Sequence, residues 1–259
     1  MKQRMIIIGG MGPQASLELH RRIIRLASAN GARDGTDFPY IVHLSLPVPD
    51  FIANESRRSE ALEIIINELK NIGASMDDII IIACNTAHLL QLDIEQRLNI
   101  RITSMVDAAI DYVSRHHKTI RLLASPTTIR IGLYEKPLKT AGVTVLTPDD
   151  NERQALETII RTVIAGRIVP QLALEKVERI AKFEKVGIDN CVENRLNNPP
   201  ILLGCTELSC TFAEKPNTID TMNILINHLS AQMSAIAKPD NKPETAVKSN
   251  SSYQITPSA

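Results

Sequence analysis

The chain has 259 residues, of which 44% are hydrophobic, enough to build one large or two small globular domains. Lys plus Arg and Asp plus Glu both number 29, so the formal charge is zero and no single-sign field attracts nucleic acid or an anionic membrane. Only 3% of the residues are aromatic and none is Trp, which argues against a base-stacking surface. We therefore expect neither nucleic acid nor a membrane as a partner.

Short runs rich in Ile, Val and Leu alternate with longer amphipathic stretches, which is the pattern of parallel strands buried between helices. The pattern predicts an α/β fold. We predict strands at residues 4–8, 40–46, 78–83, 101–104, 119–124, 143–146 and 201–203. We predict helices at residues 13–29, 56–71, 106–116, 127–140, 151–165, 170–185 and 222–237. Residues 238–259 are rich in Pro, Asn, Ser, Thr and Lys and are expected to form a disordered tail.

Signals for secretion, membrane insertion and disulfide formation are weak in this sequence. The first apolar run ends in glycines after about four residues, too short for a secretory signal, and no stretch approaches the roughly 18 apolar residues of a membrane helix. We expect a soluble, cytoplasmic protein. No CxxC pairing joins the cysteines, so we expect free thiols without a disulfide framework or a structural zinc site, at Cys84, Cys191, Cys205 and Cys210.

Two of the predicted buried strands run at their carboxyl ends into polar cysteine motifs. The run IIIIA precedes Cys84-Asn85-Thr86-Ala87-His88, and the run ILLG precedes Cys205-Thr206-Glu207. The two cysteines lie 121 residues apart, close to half the chain, as expected if each of two similar lobes presents one equivalent loop. Because ligands bind beyond the carboxyl ends of parallel strands, both motifs are expected at one site.

Paired thiols across a cleft suit the inversion of a stereocentre. A proton must leave one face of the carbon and arrive on the other, so one thiolate removes it and the opposite thiol replaces it. Each cysteine precedes a segment that can begin a helix, whose positive dipole end favours a thiolate. We predict that Cys84 and Cys205 are the acid/base pair and that Asn85, Thr86 and Thr206 supply donors to a substrate carboxylate.

Other residues near these motifs allow more than one interpretation. His88 is either a base that activates Cys84 or a packing histidine, and Glu207 either tunes the Cys205 thiol or serves as a cap or ion-pair residue. Cys191 and Cys210 have no such context, and we interpret them as structural or incidental.

The loop after the first strand carries a weak dinucleotide signal. Its GxGxxA pattern is formed by Gly10, Gly12 and Ala15, but the next strand runs into prolines where an acidic ribose ligand would stand. We therefore favour a loop, centred on Met11, whose backbone amides approach a small anion.

The motifs GGMGPQAS, CNTAH and GCTEL, in this order and at these separations, resemble the aspartate/glutamate racemase family, in particular its aspartate racemase branch. The resemblance spans about residues 4–237. It implies two pseudo-symmetric α/β lobes with the active site in the cleft between them, usually in a homodimer, and activity without pyridoxal phosphate, another cofactor or a metal. We expect one lobe at residues 1–113, joined by residues 211–237, and the other at residues 114–210.

The resemblance also assigns roles to residues of this chain. It places the acid/base pair at Cys84 and Cys205 and substrate contacts at Asn85, Thr86, Thr206 and the loop after Pro47, where Asp50 lies. Met11 and Thr128 are further candidate substrate-binding residues.

Two departures from the branch concern the substrate. Phe51 and Ile164 stand where the branch has an arginine and a lysine, so both cations that would pair with a distal carboxylate are replaced by apolar groups. We therefore predict a neutral amino acid or another small carboxylate in preference to aspartate, unless Arg33, Arg57 or Arg58 takes over. Two alternatives stay open: an isomerase or decarboxylase of the same superfamily, and a non-catalytic binding descendant.

Overall fold

The computed structural model of the chain describes residues 3–49, 55–181 and 198–236. The first half begins with β1 (Arg4–Gly9), α1 (Pro13–Ala29) and β2 (Tyr40–Ser45). It continues with a 3-10 turn (Glu55–Arg57), α2 (Arg58–Asn71), β3 (Ile79–Ile82), a second 3-10 turn (Thr86–Leu90) and α3 (Gln91–Leu98). The three strands form a parallel sheet in the order β2-β1-β3.

The second half repeats this plan after the connecting helix α4 (Met105–His116). Its elements are β4 (Thr119–Ala124), α5 (Pro126–Ile131), α6 (Glu135–Thr140), β5 (Thr144–Leu146), α7 (Asp150–Ile164) and α8 (Gln171–Ala181). They are followed by β6 (Ile201–Gly204), α9 (Thr206–Phe212), β7 (Thr218–Asp220) and α10 (Thr221–Ile236). The parallel sheet has the order β5-β4-β6-β7. The prediction of an α/β fold with two parallel sheets flanked by helices is therefore confirmed.

Both sheets are covered on both faces, which explains the unbroken apolar runs of their strands. Ile6 and Ile8 of β1 face a cluster that includes Ile65 of α2, whereas Met5 and Ile7 face α1 and the final helix. Apolar residues of that helix, Met222, Leu225 and Leu229, belong to this second cluster. The end of the described chain thus packs on the first sheet.

Two of the predicted elements are wrong. Residues 101–104 are not a strand but contribute a single bridge between Ile102 and Ile80, because the Ile102 amide donates to the Glu95 carboxylate at 2.8 Å and Ser104 already caps α4. The predicted helix at 127–140 is two helices, since Gly132 adopts a left-handed conformation (φ 69°) that ends α5.

Other differences are smaller. α2 begins at Arg58, two residues later than predicted, and the prediction missed α3 and the three-residue strand β7. The segment after Cys205, which was expected to be able to begin a helix, forms α9. The predicted tail, and the last residues of the predicted helix at 170–185, lie outside the described residues. Among the helices in the described ranges, none is long and apolar enough to cross a membrane.

Candidate active site

The two cysteines lie at equivalent points of the two sheets. Cys84 follows β3, and Cys205 follows β6. The hydrogen bonding between β3 and β1 extends to the residue before Cys84, because the Ala83 amide donates to the Ile8 carbonyl at 2.8 Å. Both side chains are buried, and both carry thiols that are not in a disulfide. Cys205 occupies the N-cap position of α9, and its carbonyl accepts hydrogen bonds from the amides of Leu208 and Ser209. Each half of the chain therefore delivers one thiol from the carboxyl end of a buried strand.

A cavity of about 260 Å³ is lined by both cysteines. Of the other residues predicted for the site, five line it as well: Met11, Asn85, Thr86, Ile164 and Glu207. Thr128, Thr206 and His88 are buried and contact those residues from behind, through the bonds described below. Asp50 and Phe51 lie outside the described residues.

Thr86 ties the first cysteine loop to the other half of the chain. Its hydroxyl lies 2.8 Å from the hydroxyl of Thr128 and 3.2 Å from that of Ser125, which in turn caps α5 by accepting from the Thr128 amide. These three hydroxyls can rotate to donate or accept, so Thr86 and Ser125 keep the capacity to bond a ligand in the cavity.

Asn85 is held by two buried hydroxyl groups. The Tyr134 hydroxyl donates to Asn85 Oδ1, and Asn85 Nδ2 donates to Thr221 Oγ1 at 3.4 Å. Burial raises the pKa of Tyr134 well above its usual value, so the phenol keeps its proton and remains a donor. The amide of Asn85 is thereby oriented at the cavity wall before any ligand binds.

His88 has a structural role in this arrangement. The Met105 amide can only donate, so its 3.2 Å bond to His88 Nε2 makes Nε2 the acceptor, and Nδ1–H donates to the Cys84 carbonyl at 2.8 Å. Burial lowers the pKa of His88, which keeps the ring neutral. Both ring nitrogens therefore bond to backbone groups, and of the two interpretations the geometry favours the packing histidine over a base for the Cys84 thiol.

Glu207 is the immediate partner of the second thiol. Cys205 Sγ donates to Glu207 Oε2 at 3.0 Å, and the Thr206 hydroxyl donates to the same oxygen at 3.1 Å. Burial, followed by the charge of Glu207, raises the pKa of Cys205 well above its usual value, and burial also raises the pKa of Glu207. The amide at the helix start does lower the pKa of Cys205, but burial and the Glu207 carboxylate outweigh it, so the net shift favours the protonated thiol.

The glycines of the loop after β1 make room for this carboxyl group. An added Cβ at Gly12 would lie 1.8 Å from Glu207 Oε1, and one at Gly10 would lie 2.1 Å from the Leu46 carbonyl oxygen. Glu207 Oε1 is buried and has no hydrogen-bond partner within the part of the chain that the structure describes. The GxGxxA pattern thus has a packing explanation that involves no dinucleotide.

Helix α7 also lines the cavity, and three of its four lining residues, all except Ile164, were not predicted from the sequence. Ile160, Ile164, Glu157 and Arg161 all line the cavity. Arg161 Nε donates to Glu157 Oε1 at 2.8 Å, and Nη2 lies 2.7 Å from the same oxygen. The spacing of these residues places them on one face of a helix, so the pattern around Ile164 contained a signal for Arg161.

Arg57 and Arg58, two of the three cations considered as replacements, have other partners. Arg57 pairs with Glu60 at 3.1 Å and Arg58 with Asp93 at 2.8 Å, both on the surface. Neither is among the described residues that line the cavity.

The chain matches the Asp/Glu/Hydantoin racemase family over residues 8–229. It belongs to this family. The broad specificity amino-acid racemase RacX of Bacillus subtilis (strain 168) is 27% identical over 158 residues, which cover 61% of this chain and 69% of that protein. A glutamate racemase of Aquifex aeolicus (strain VF5) is 25% identical over 162 residues, covering 61% of this chain and 56% of that protein.

Solved racemase structures share the fold of this family member. An aspartate racemase from Picrophilus torridus superposes with a TM-score of 0.68 at 23% identity, covering 90% of this chain and 94% of that one. An aspartate racemase homologue from Pyrococcus horikoshii OT3 gives 0.67 at 23% identity, covering 90% and 100%. The predicted family, the two-lobe fold and the enzyme class, an isomerase of the amino-acid racemase type, are confirmed.

Proposed function

We propose that this chain is a cofactor-independent amino-acid racemase in which Cys84 and Cys205 exchange the α-proton on opposite faces of the substrate. The observation that carries the proposal is that two cysteine thiols, each at the carboxyl end of a strand in a different sheet, line one cavity of about 260 Å³. The family membership supports racemisation, and the cavity offers the two acid/base groups that inversion requires.

The binding groups follow from the same geometry. The Asn85 amide, the hydroxyls of Thr86 and Ser125 and the loop at Met11 line the cavity and bind the substrate carboxylate. Donors fixed in this way stabilise the charge that develops on the carboxylate when the α-proton leaves. Because Asn85, Thr86 and Ser125 are buried, water competes little with these bonds.

The raised pKa of Cys205 suggests which thiol donates in one direction of the reaction. Cys205, whose raised pKa keeps it protonated beside Glu207, delivers a proton to one face, and the reaction assigns removal of the α-proton on the other face to Cys84. The forward step leaves Cys84 protonated and Cys205 as the thiolate, and the reverse direction starts from that state; in the protonated state the Cys205 proton is held by Glu207 Oε2 at 3.0 Å. Glu207 is in this proposal the positioning and tuning residue of the second thiol.

The α7 wall supports a substrate other than aspartate. Ile160 and Ile164 are apolar, and the charge of Arg161 is opposed by its ion-pair partner Glu157. A distal carboxylate placed there gains no unopposed cation among the described lining residues, and its burial against isoleucine is costly. We propose a neutral amino acid in preference to an acidic one.

The lobe boundaries, the oligomeric state and the location of the protein are part of the same proposal. We propose lobe boundaries at 1–113 with 211–237 and at 114–210, which the packing of Met222 and Leu225 beside Met5 and Ile7 supports. The homodimer and the cytoplasmic location are carried over from the sequence analysis. Light scattering on the purified chain measures the oligomeric state directly.

Deuterium exchange at Cα tests the proposed reaction. The purified chain, without added cofactor, is incubated in D₂O with single enantiomers of a panel of amino acids and with small dicarboxylates. We expect deuterium at Cα together with loss of optical purity. The absence of exchange on every amino acid would refute the proposal, and cis–trans isomerisation or loss of CO₂ from a dicarboxylate would replace it.

Cysteine variants test the two-thiol mechanism separately. Cys84→Ser and Cys205→Ser should each reduce inversion by at least about 10²-fold, the lower range of general acid–base catalysis. Cys210→Ser is the matched control, because Cys210 is a free thiol outside the cavity lining. Full activity in either cavity variant contradicts a mechanism that needs both thiols.

A further inference from the structure

We infer that Glu157 and Arg161 form a substrate-selecting pair that recognises a side-chain carboxamide, as in asparagine or glutamine. The inference rests on the proposed racemase function and names the class of its substrate. A carboxamide carries one carbonyl acceptor and one NH₂ donor, and the pair offers the complementary donor and acceptor side by side.

The position of the pair is at the open side of the cavity. Both residues line it, yet their side chains remain 42% and 57% exposed, whereas Cys84 and Cys205 are buried. A substrate whose α-carbon lies between the thiols therefore directs its side chain along α7 towards the pair. Ile164, one turn further along the same face, packs against the methylene carbons.

The charges of the pair disfavour ionised side chains of either sign. The guanidinium and the carboxylate lie within hydrogen-bond distance of each other, so their fields oppose at any point beside them. A substrate carboxylate is attracted by Arg161 but repelled by Glu157. A substrate ammonium group is attracted by Glu157 but repelled by Arg161. A neutral group does not suffer this opposition and still gains hydrogen bonds.

The hydrogen-bonding pattern favours an amide over other neutral groups. Both described bonds from Arg161 converge on Glu157 Oε1, so Glu157 Oε2 is available to accept from the NH₂ group of a substrate. The guanidinium carries five N–H donors, more than the two groups that contact Glu157 Oε1, so a further N–H can donate to the carbonyl oxygen of the same amide. An aliphatic side chain of the same size satisfies neither group.

Substrate competition measures the selection. The kcat/KM values for asparagine and glutamine are compared with those for aspartate, glutamate, leucine and methionine, and each is expressed relative to alanine, which is too short to reach the pair. In the wild-type chain we expect both carboxamides to exceed their acidic and aliphatic counterparts by at least tenfold. Equal values for asparagine, aspartate and leucine would overturn the inference.

Variants of the pair reverse the selection in a stated direction. Glu157→Gln removes the opposing charge, so the aspartate-to-asparagine ratio of kcat/KM should rise at least tenfold. Arg161→Met should lower the asparagine-to-leucine ratio at least tenfold, mainly through KM, because the lost contact is made in substrate and transition state alike. If neither ratio moves, the pair does not select the substrate.

A control and an independent readout separate this inference from the reaction itself. Asp150→Asn alters another ion pair of the same helix, with Arg153 at 3.2 Å, outside the cavity lining, and should leave every ratio unchanged. If no amino acid, alanine included, acquires deuterium at Cα, the racemase proposal fails together with the inference. If amino acids exchange but carboxamides have no advantage, only the selecting pair is refuted.

Discussion

Replacing Gly12 by alanine is a direct test of how the loop after β1 controls the second thiol. The added Cβ would lie 1.8 Å from Glu207 Oε1 and 3.0 Å from Glu207 Cδ, where ordinary contact begins at 3.4 Å. The carboxyl group must therefore retreat by about 1.6 Å, since well-packed interiors do not tolerate such overlap. A movement of this size breaks the 3.0 Å bond from Cys205 and the 3.1 Å bond from Thr206.

The expected size of the effect follows from the contacts. Overpacking of a buried site costs about 1–3 kcal/mol of unfolding free energy, and misplacing a catalytic group by about 1 Å lowers the rate about 10²-fold. The two enantiomers have equal free energy, so kcat/KM should fall equally in both directions. Burial and the charge of Glu207 both raise the pKa of Cys205. Displacing the Glu207 carboxylate should therefore lower this pKa and move the limb of the pH–rate profile that reports Cys205 to lower pH.

The measurements are racemisation followed by circular dichroism between pH 6 and about 10, the range in which cysteine thiols titrate, together with urea denaturation. Glu207→Gln removes the charge without the clash, so it should move the same limb, and the double variant should be less impaired than the two single effects combined. Gly35→Ala is the control, since nothing lies within 4 Å of its added Cβ. If Gly12→Ala leaves both the pH limb and kcat/KM unchanged, Glu207 does not tune the thiol.

Three further predictions concern groups around the site and at the sheet edge. Tyr134→Phe leaves the buried Asn85 Oδ1 without its donor and should cost about 1–3 kcal/mol in urea denaturation while raising KM; equal stability and KM would contradict the orienting role. The Arg4 guanidinium holds the pKa of Asp78 below its usual range, so this stability is present above the unfolded pKa and is lost as pH falls through the folded one. Asp78→Asn should therefore cost about 1 kcal/mol at pH 7, a difference that shrinks below pH 4 in urea titrations at several pH values. Burial lowers the pKa of His88, so below about pH 6.5 the unfolded imidazole binds a proton that the folded one does not, and stability falls by up to about 1.4 kcal/mol per pH unit. His88→Asn should flatten that slope, and an unaltered slope would show that His88 does not cause it.

The sequence by itself determined the elements whose cause is local or periodic. The strand Thr119–Ala124 and the helix Pro13–Ala29 have the predicted bounds, because a strand buried on both faces needs an unbroken apolar run and a proline suits a first helical turn. The position of Cys84 and Cys205 after buried strands was predictable for the same reason. A thiol at the carboxyl end of a parallel strand is placed by the strand itself.

Only the tertiary structure decided the features that join distant parts of the chain. The Ile102 amide donates to the carboxylate of Glu95, seven residues earlier, instead of extending a strand. The apolar pattern of the sequence does not predict this contact. Glu207 reaches Gly12 from the other half of the chain, and Arg161 lines the cavity beside Ile164 only because α7 faces both cysteine loops. Hydrophobic periodicity decides which face of an element is buried, but it carries no information on which polar side chains meet once two lobes dock. The two cysteines of the proposed acid/base pair were therefore predictable from the sequence, whereas the contact of Glu207 with Gly12 and the place of Arg161 in the cavity lining were not.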